Sequence, residues 1–464
     1  MKISSAEHLQ IITGVQGSQA GRQSGKTRRR QAGRTLTAVL LAMTLLSACG
    51  NVTSPSDPEE TTPPAQTSAA APADTAAEST PPTPTVAPTP EPTPEPTPTP
   101  EPTPEPTNGQ TVSMFNGEPI KVKAVYLTGP KAGVALDHYI DLVNRTELNA
   151  LVIDIKETGV NYEPNVPLAQ EHKLYTKYYN VDEVIRKCHE NGIYVIGRIV
   201  VFRDNDLAKA VPEFAIRKAD GSYWLENKNK DGAWTSPAVQ GVLDYNIEIA
   251  MDAVARGFDE IQFDYVRFPT VPKSNPASYP EDMPDKIDII DGFLQLAAER
   301  IKAIREVPIS ADVFGIIAES VSDGKAIGQQ LEYLGANADY LCPMIYPSHY
   351  ANAGTGIMGN GVGQKINGVL FTAPDLHPYD VILQSLLKTK SRAEAAPDFK
   401  AGIRPYLQDF TASYIKNTAY YQTYGPKQLR EQIQAVYDAG YEEWILWNGR
   451  NVYSESGLLP AQEE

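Results

Sequence analysis

The chain has 464 residues, with 57 acids against 41 bases and a formal net charge of −16 at pH 7. That balance disfavours nucleic acid and anionic lipid surfaces as partners and leaves neutral or cationic molecules, or ones gripped by local arginines. Three cysteines and six histidines occur without the spacing of a metal site, and no motif asks for a cofactor.

The chain opens on a segment unlike a globular domain. Arg28, Arg29, Arg30 and Arg34 precede an apolar run over 36–46, which ends in Leu46-Ser47-Ala48-Cys49. A basic stretch, a short apolar stretch and small residues describe a secretory signal, and the run is too short for a permanent membrane span. Cys49 directly after Ser-Ala resembles the lipobox of bacterial lipoproteins, which implies cleavage before Cys49 and lipid attachment to it. The alternative is an ordinary signal with an incidental cysteine. Loss of 1–48 would remove seven bases and one acid, leaving a still more acidic protein outside the cytoplasm, held to the cell membrane by its lipid. Residues 50–107 are almost entirely Pro, Thr, Ala, Ser and Glu. Such a composition builds no core and favours an extended stalk of ~3.1 Å per residue. The expected division is therefore a signal region at 1–48, an anchor and linker at 49–110, and one folded domain at 111–464.

From there on, apolar runs alternate with helical periodicity. Strands are expected at 122–128, 150–156, 194–201, 260–265, 308–314, 340–346, 400–407 and 443–447. Most are continuously apolar, as parallel strands covered on both faces require. Helices are expected at 180–191, 245–256, 287–305, 328–336, 379–390 and 428–439, with Gly192, Gly257 and Gly440 as C-terminal caps. Eight such units predict a (β/α)8 barrel. An open doubly wound sheet is the alternative, but no Gly-rich phosphate loop follows the first strand. The eighth helix is the weakest element, since only 454–459 follow the last strand closely. Cys188 falls in a helix and Cys342 in a strand, where reduced core thiols are favoured over a disulfide.

In a parallel barrel the C-terminal strand ends deliver the reacting groups. The second strand ends in Asp154, Lys156 and Glu157. The third carries Arg198 and Arg203. The fourth breaks from Ile261-Gln262-Phe263 into Asp264, Tyr265 and Arg267 before Pro269. The fifth brings Asp312; the sixth, Tyr346 and His349; the seventh, Arg404, Tyr406 and Gln408; the eighth, Trp447, Asn448 and Arg450. Glycoside hydrolysis needs two carboxyl groups, with aromatic faces and polar groups to hold the sugar. Asp264 and Asp312 lie on adjacent strands, about 4.8 Å apart, and are the expected pair. Asp154 and Glu157 compete for one role, although Asp154 can instead be an inward residue paired with Lys156 or Arg198. Trp224 and Trp234, in a polar insertion after the third strand, are expected sugar platforms; the alternative is a cluster that ties the loop down. Arg198, Arg267, Tyr346, His349, Arg404 and Trp447 complete the expected substrate contacts, His349 having a hydrogen-bonded structural role as its alternative.

Gln262-Phe263-Asp264-Tyr265-Val266-Arg267-Phe268-Pro269, Ser310-Ala311-Asp312-Val313-Phe314-Gly315 and Met344-Ile345-Tyr346-Pro347-Ser348-His349-Tyr350 resemble the motifs of a glycoside hydrolase domain family of bacterial secreted proteins and lipoproteins. The resemblance spans about 121–453 and implies a glycosidase-type barrel. The Asp on strand four also resembles the α-amylase-like clan, where that residue is the nucleophile and a strand-five carboxylate the acid. Asp312 stands where that clan has Glu, and Glu319 is the substitute. The expected function is hydrolysis of a cell-wall or environmental polysaccharide, with a non-catalytic carbohydrate-binding lipoprotein as the other reading. A deacetylase or esterase would need a metal triad or an activated serine, and neither is legible.

Overall fold

The computed structural model describes residues 112–226 and 232–461. The signal region, Cys49 and the Pro/Thr linker lie outside the described residues. Eight strands follow one another around a closed parallel barrel: β1 (Lys123–Leu127), β2 (Ala150–Lys156), β3 (Tyr194–Val200), β4 (Glu260–Asp264), β5 (Ile309–Phe314), β6 (Tyr340–Ile345), β7 (in two pieces, Gly402–Ile403 and Tyr406–Gln408) and β8 (Trp444–Trp447). Each pairs with its neighbours in sequence, and β8 returns to β1. Closure rules out the open doubly wound sheet. β7 splits where Pro405 comes level with Pro343 of β6, because proline has no N–H for the ladder; the register resumes unchanged beyond it.

Among the described residues seven helices lie between successive strands as the barrel's outer layer, α1 (Gly129–Asn144), α2 (Val181–Glu190), α3 (Gln240–Ala255), α4 (Lys286–Lys302), α5 (Leu331–Asn337), α6 (Pro378–Glu394) and α7 (Pro426–Asp438), with shorter helices in the loops at Pro167–Glu171, Asn205–Ala210 and Val321–Ile327. The expected weakness at the eighth position is real: among the described residues β8 is followed only by the short turn Glu455–Gly457. Outward strand residues such as Val125, Leu151, Ile153, Val195 and Ile261 pack with the helices into the main core. Cys188 and Cys342 are free and buried, on α2 and β6.

Inward residues alternate with these and fill the barrel in levels. At the base, Arg404 pairs with Glu260 at 2.7 Å and lies 3.4 Å from Glu443, while Ser310 Oγ donates to Glu260 at 2.6 Å. Above it Tyr406 OH donates to Gln262 Oε1, with Cys342, Val152 and Ile196 alongside. A short hairpin, Met114–Phe115 with Glu118–Pro119, lies beneath the base. The Ser113 N–H bonds Tyr340 OH at 2.9 Å, and the Phe115 ring meets Tyr194 edge-on at 5.8 Å. The upper level opens at the C-terminal strand ends.

Candidate active site

The register places the chemistry. Phe263 of β4 is level with Ala311 of β5, so Asp264 and Asp312 come next to each other at the mouth. Asp154 of β2 is level with Arg198 of β3, and Val200 of β3 with Asp264. One guanidinium therefore serves three carboxyl groups. Arg198 bonds Asp154 and Asp264, and its Nε lies 3.7 Å from Asp312.

The carboxyl groups differ in their surroundings. Both Asp264 oxygens are engaged, Oδ2 by Arg198 and Oδ1 by the backbone N–H of Tyr265 at 2.5 Å. Asp312 is sealed, and its Oδ1 has no partner among the described residues. Burial pushes the Asp312 carboxyl well above its ordinary pKa, and the neighbouring Asp264 adds to that; Arg198 works in the opposite direction. Asp154 accepts from Tyr126 OH and Arg198 and is pushed up to about 6, chiefly by burial. Of its two expected alternatives, the pairing with Arg198 is the one present. Lys156 turns away to Asp204 at 2.7 Å. Glu157 is exposed, and Glu319 accepts the Asn367 N–H at 2.7 Å in a loop hairpin.

Tyr265 has a φ of 50°, rare for a residue with a side chain and a common mark of functional sites. This turn aims its N–H back at Asp264. Trp234 meets the Tyr265 ring edge-on at 5.8 Å, and Arg267 lies over Trp234, Tyr265 and Phe314 at 4.6–5.0 Å. Arg267 is thus buried in an aromatic cage beside the mouth, donating to the Phe268 carbonyl at 3.1 Å.

Three expected substrate contacts are corrected. Trp224 and Trp234 are 0% exposed. They tie the insertion to the domain and offer no face to a sugar: Trp224 Nε1 donates to the Asn275 carbonyl at 2.9 Å, and Trp234 backs Tyr265. Arg404 is also 0% exposed and sits at the base, at the opposite end from the mouth. The aromatic faces near the carboxyls come from elsewhere. Trp447 is half-buried and packs against Tyr346 at 5.5 Å, Phe410 at 5.3 Å and Tyr126 at 6.4 Å. Tyr346 also meets His349 at 5.1 Å. Tyr126 and Phe410 do not stand out in the sequence; inward alternation along β1 is the available signal for Tyr126. Among the described residues no group of three or more His, Cys, Asp or Glu is arranged to hold a metal.

A closed (β/α)8 barrel whose C-terminal mouth holds two neighbouring carboxyl groups defines the class. The chain belongs to the family described as "Putative glycosyl hydrolase domain", whose model matches residues 124–453. Similar solved structures include a hypothetical protein from Ruminiclostridium thermocellum ATCC 27405, 42% identical over 41% of this chain and 97% of that one, with a TM-score of 0.37. The glycoside hydrolase domain of PgaB (BpsB) from Bordetella bronchiseptica is 13% identical, with 71% and 94% covered and a TM-score of 0.49. A chitinase from Chromobacterium violaceum ATCC 12472 is 13% identical, with 73% and 97% covered and a TM-score of 0.41. No curated protein matches this chain.

Proposed function

We propose that this protein is a surface-anchored glycoside hydrolase acting on a cell-wall or environmental polysaccharide. The observation that carries the reading is the pair of unequal carboxyls at the mouth. Asp312 is buried, proton-retaining and has a free oxygen, while Asp264 beside it is ion-paired to Arg198. Two neighbouring carboxyls in unlike surroundings can divide the work of glycoside cleavage. Asp312, which substrate entry must uncover, protonates the leaving oxygen; Asp264 attacks, or stabilises, the developing oxocarbenium centre. Asp154 and Tyr126 orient Arg198, which holds Asp264 in place. Trp447 and Tyr346 supply faces for the sugar's C–H surfaces. Anchoring rests on the Leu46-Ser47-Ala48-Cys49 motif and is tested by fatty-acid labelling that requires Cys49.

One observation favours the second reading, a non-catalytic carbohydrate-binding protein: both oxygens of Asp264 are already engaged, which a nucleophile must give up. Reducing-end release from a panel of cell-wall and environmental polysaccharides separates the two. Asp264→Asn is expected to cut turnover by at least ~10³-fold with the fold intact. Asp312→Asn is expected to be damaging on natural linkages and milder on activated aryl glycosides, which need less protonation. Near wild-type turnover by Asp264→Asn would remove it from the nucleophile role. Binding by the wild type without hydrolysis of any member favours the second reading.

A further inference from the structure

His349 stands on the short turn Pro347–His349 after β6, and its ring is enclosed by Tyr346, Phe410 and Tyr414. Which of its nitrogens carries the proton follows from three neighbours. Gln408, at the end of β7, has its amide orientation fixed. Its Nε2 donates to Asp375 Oδ1 and to the Phe410 carbonyl, each at 3.0 Å. Its Oε1 accepts the Ser348 N–H at 3.1 Å. The flipped amide would set a donor against that N–H and an oxygen against a carboxylate and a carbonyl. Gln408 Oε1 can therefore only accept, and its 2.8 Å contact with Ser348 Oγ requires the hydroxyl proton of Ser348. Ser348 has no second proton. It accepts from Tyr414 OH at 3.0 Å, and toward His349 Nδ1, also at 3.0 Å, it can again only accept. Nδ1 then carries the hydrogen, and Nε2 is a lone pair.

That lone pair is left open. Nε2 has no hydrogen-bond partner among the described residues and is not among the sealed, partnerless polar atoms; the residue as a whole is 7% exposed. Tyr346 packs against both this ring and Trp447, so the lone pair belongs to the same aromatic wall as the candidate active site. Resting on the carbohydrate reading of that mouth, we propose that Asp375, Gln408 and Ser348 form a relay fixing His349 as a hydrogen-bond acceptor, which selects a substrate hydroxyl or amide N–H at this position. Ser348, Gln408 and Asp375 are positioning residues in this scheme. Burial lowers the His349 pKa to about 3 and raises that of Asp375 to about 6, so at neutral pH the ring is uncharged and the relay's carboxylate is ionised.

The tautomer is directly measurable. Histidine-selective ¹⁵N labelling of the full chain gives six side chains, and a His349→Gln variant assigns the one in question. The expected spectrum has a protonated Nδ1 and a pyridine-like Nε2 at neutral pH, where Asp375 is ionised. A pyridine-like Nδ1, or an imidazolium at that pH, overturns the relay. Chitohexaose and cellohexaose are then titrated into Asp264→Asn protein. A shift of Nε2 with both points to a hydroxyl, and a shift with chitohexaose alone to the acetamido N–H. Ser348→Ala should release the tautomer and weaken the responding sugar roughly 3–10-fold, the worth of one neutral hydrogen bond. An Nε2 signal moved by neither sugar, or affinity unchanged in Ser348→Ala, overturns the proposed recognition. These readouts need no turnover. A hydrolase with the wrong tautomer would sink only this inference, and a protein without hydrolysis whose Nε2 responds would sink only the catalytic reading.

Discussion

Asp312 makes the sharpest demand on its surroundings, since a carboxyl acts as a general acid near neutral pH only if its proton is retained. Burial and the adjacent Asp264 both favour the protonated form. In its proposed acid role Asp312 is therefore competent at low pH and loses its proton as pH rises through its raised pKa, so kcat should fall on the alkaline side. In Asp312→Asn, assayed on an activated aryl glycoside, that alkaline limb should vanish while the lower plateau remains. A limb that survives assigns the acid elsewhere. Trp234 makes the opposite lesson. Its indole is wholly buried behind Tyr265, whose left-handed backbone directs an N–H at Asp264. Trp234→Ala should cost about 3–5 kcal/mol of unfolding free energy, as large cavities do, measured by denaturant titration. A variant that weakens sugar binding at unchanged stability would restore the platform expectation. Aromatics among Gly, Asn and Lys read as a surface loop because their partners are remote: Trp224 bonds Asn275, far along the chain. Burial created by two loops meeting leaves no local pattern.

At the scale of elements, α1 shows how contact outweighs propensity. It contains Gly133, and replacing a helical glycine by alanine ordinarily gains about 1 kcal/mol. A Cβ at Gly133, however, would lie 2.0 Å from the backbone carbonyl oxygen of Tyr178. The loop carrying Tyr178 also holds Asn161 and Tyr179, which donate to the Asp154 carbonyl at 2.9 and 3.1 Å. Gly133→Ala should therefore destabilise by roughly 1–3 kcal/mol. Gly292, in α4, has nothing within 4 Å of its would-be Cβ, and Gly292→Ala should stabilise by about 0.5–1 kcal/mol. Chemical denaturation of the pair checks the contrast, and a stabilised Gly133→Ala would mean the loop yields freely. The same helix marks a limit of sequence reading. The eight strands are legible because a short, continuously apolar run bounded by turns suits a strand covered on both faces and little else. α1 is not, since Gly129-Pro130 and Gly133 interrupt its pattern and Ala135 leaves helical geometry at φ −138°. Asp264 is legible because an apolar run that stops in a carboxylate marks a strand end, and Asp312, inside β5, because it is the carboxylate of the adjacent apolar strand. The place of Arg404 is not, because inward alternation does not tell base from mouth, and here the pairing of Pro405 with Pro343 splits the strand just above it.

For the whole molecule the two ends of the barrel have different duties. The described chain begins at the base: Ser113 bonds Tyr340 and Arg404, and Phe115 covers Tyr194. The carboxyl-bearing mouth lies at the other end, so an anchor attached ahead of Ser113 joins the domain away from its site. This arrangement is compatible with the proposed anchoring at Cys49. It also separates two kinds of N-terminal residue, the Pro/Thr-rich tract and the hairpin ahead of the first barrel strand. A chain shortened to begin at Val112 lacks only the Pro/Thr-rich tract and what precedes it, a composition that builds no core. Its unfolding should match that of a chain beginning at Val52. A chain beginning at Lys121 loses the hairpin as well. Arg404 then keeps Glu260 and Glu443 but loses Ser113 Oγ, and the Tyr340 hydroxyl and the Tyr194 ring lose their cover. Stripping two buried hydrogen bonds and an aromatic contact from the barrel's charged base should cost about 2–4 kcal/mol. Calorimetric melting of the three chains tests this. Equal midpoints for all three would show that the hairpin lies on the base without sealing it; a drop already at Val112 would show that the linker packs on the domain.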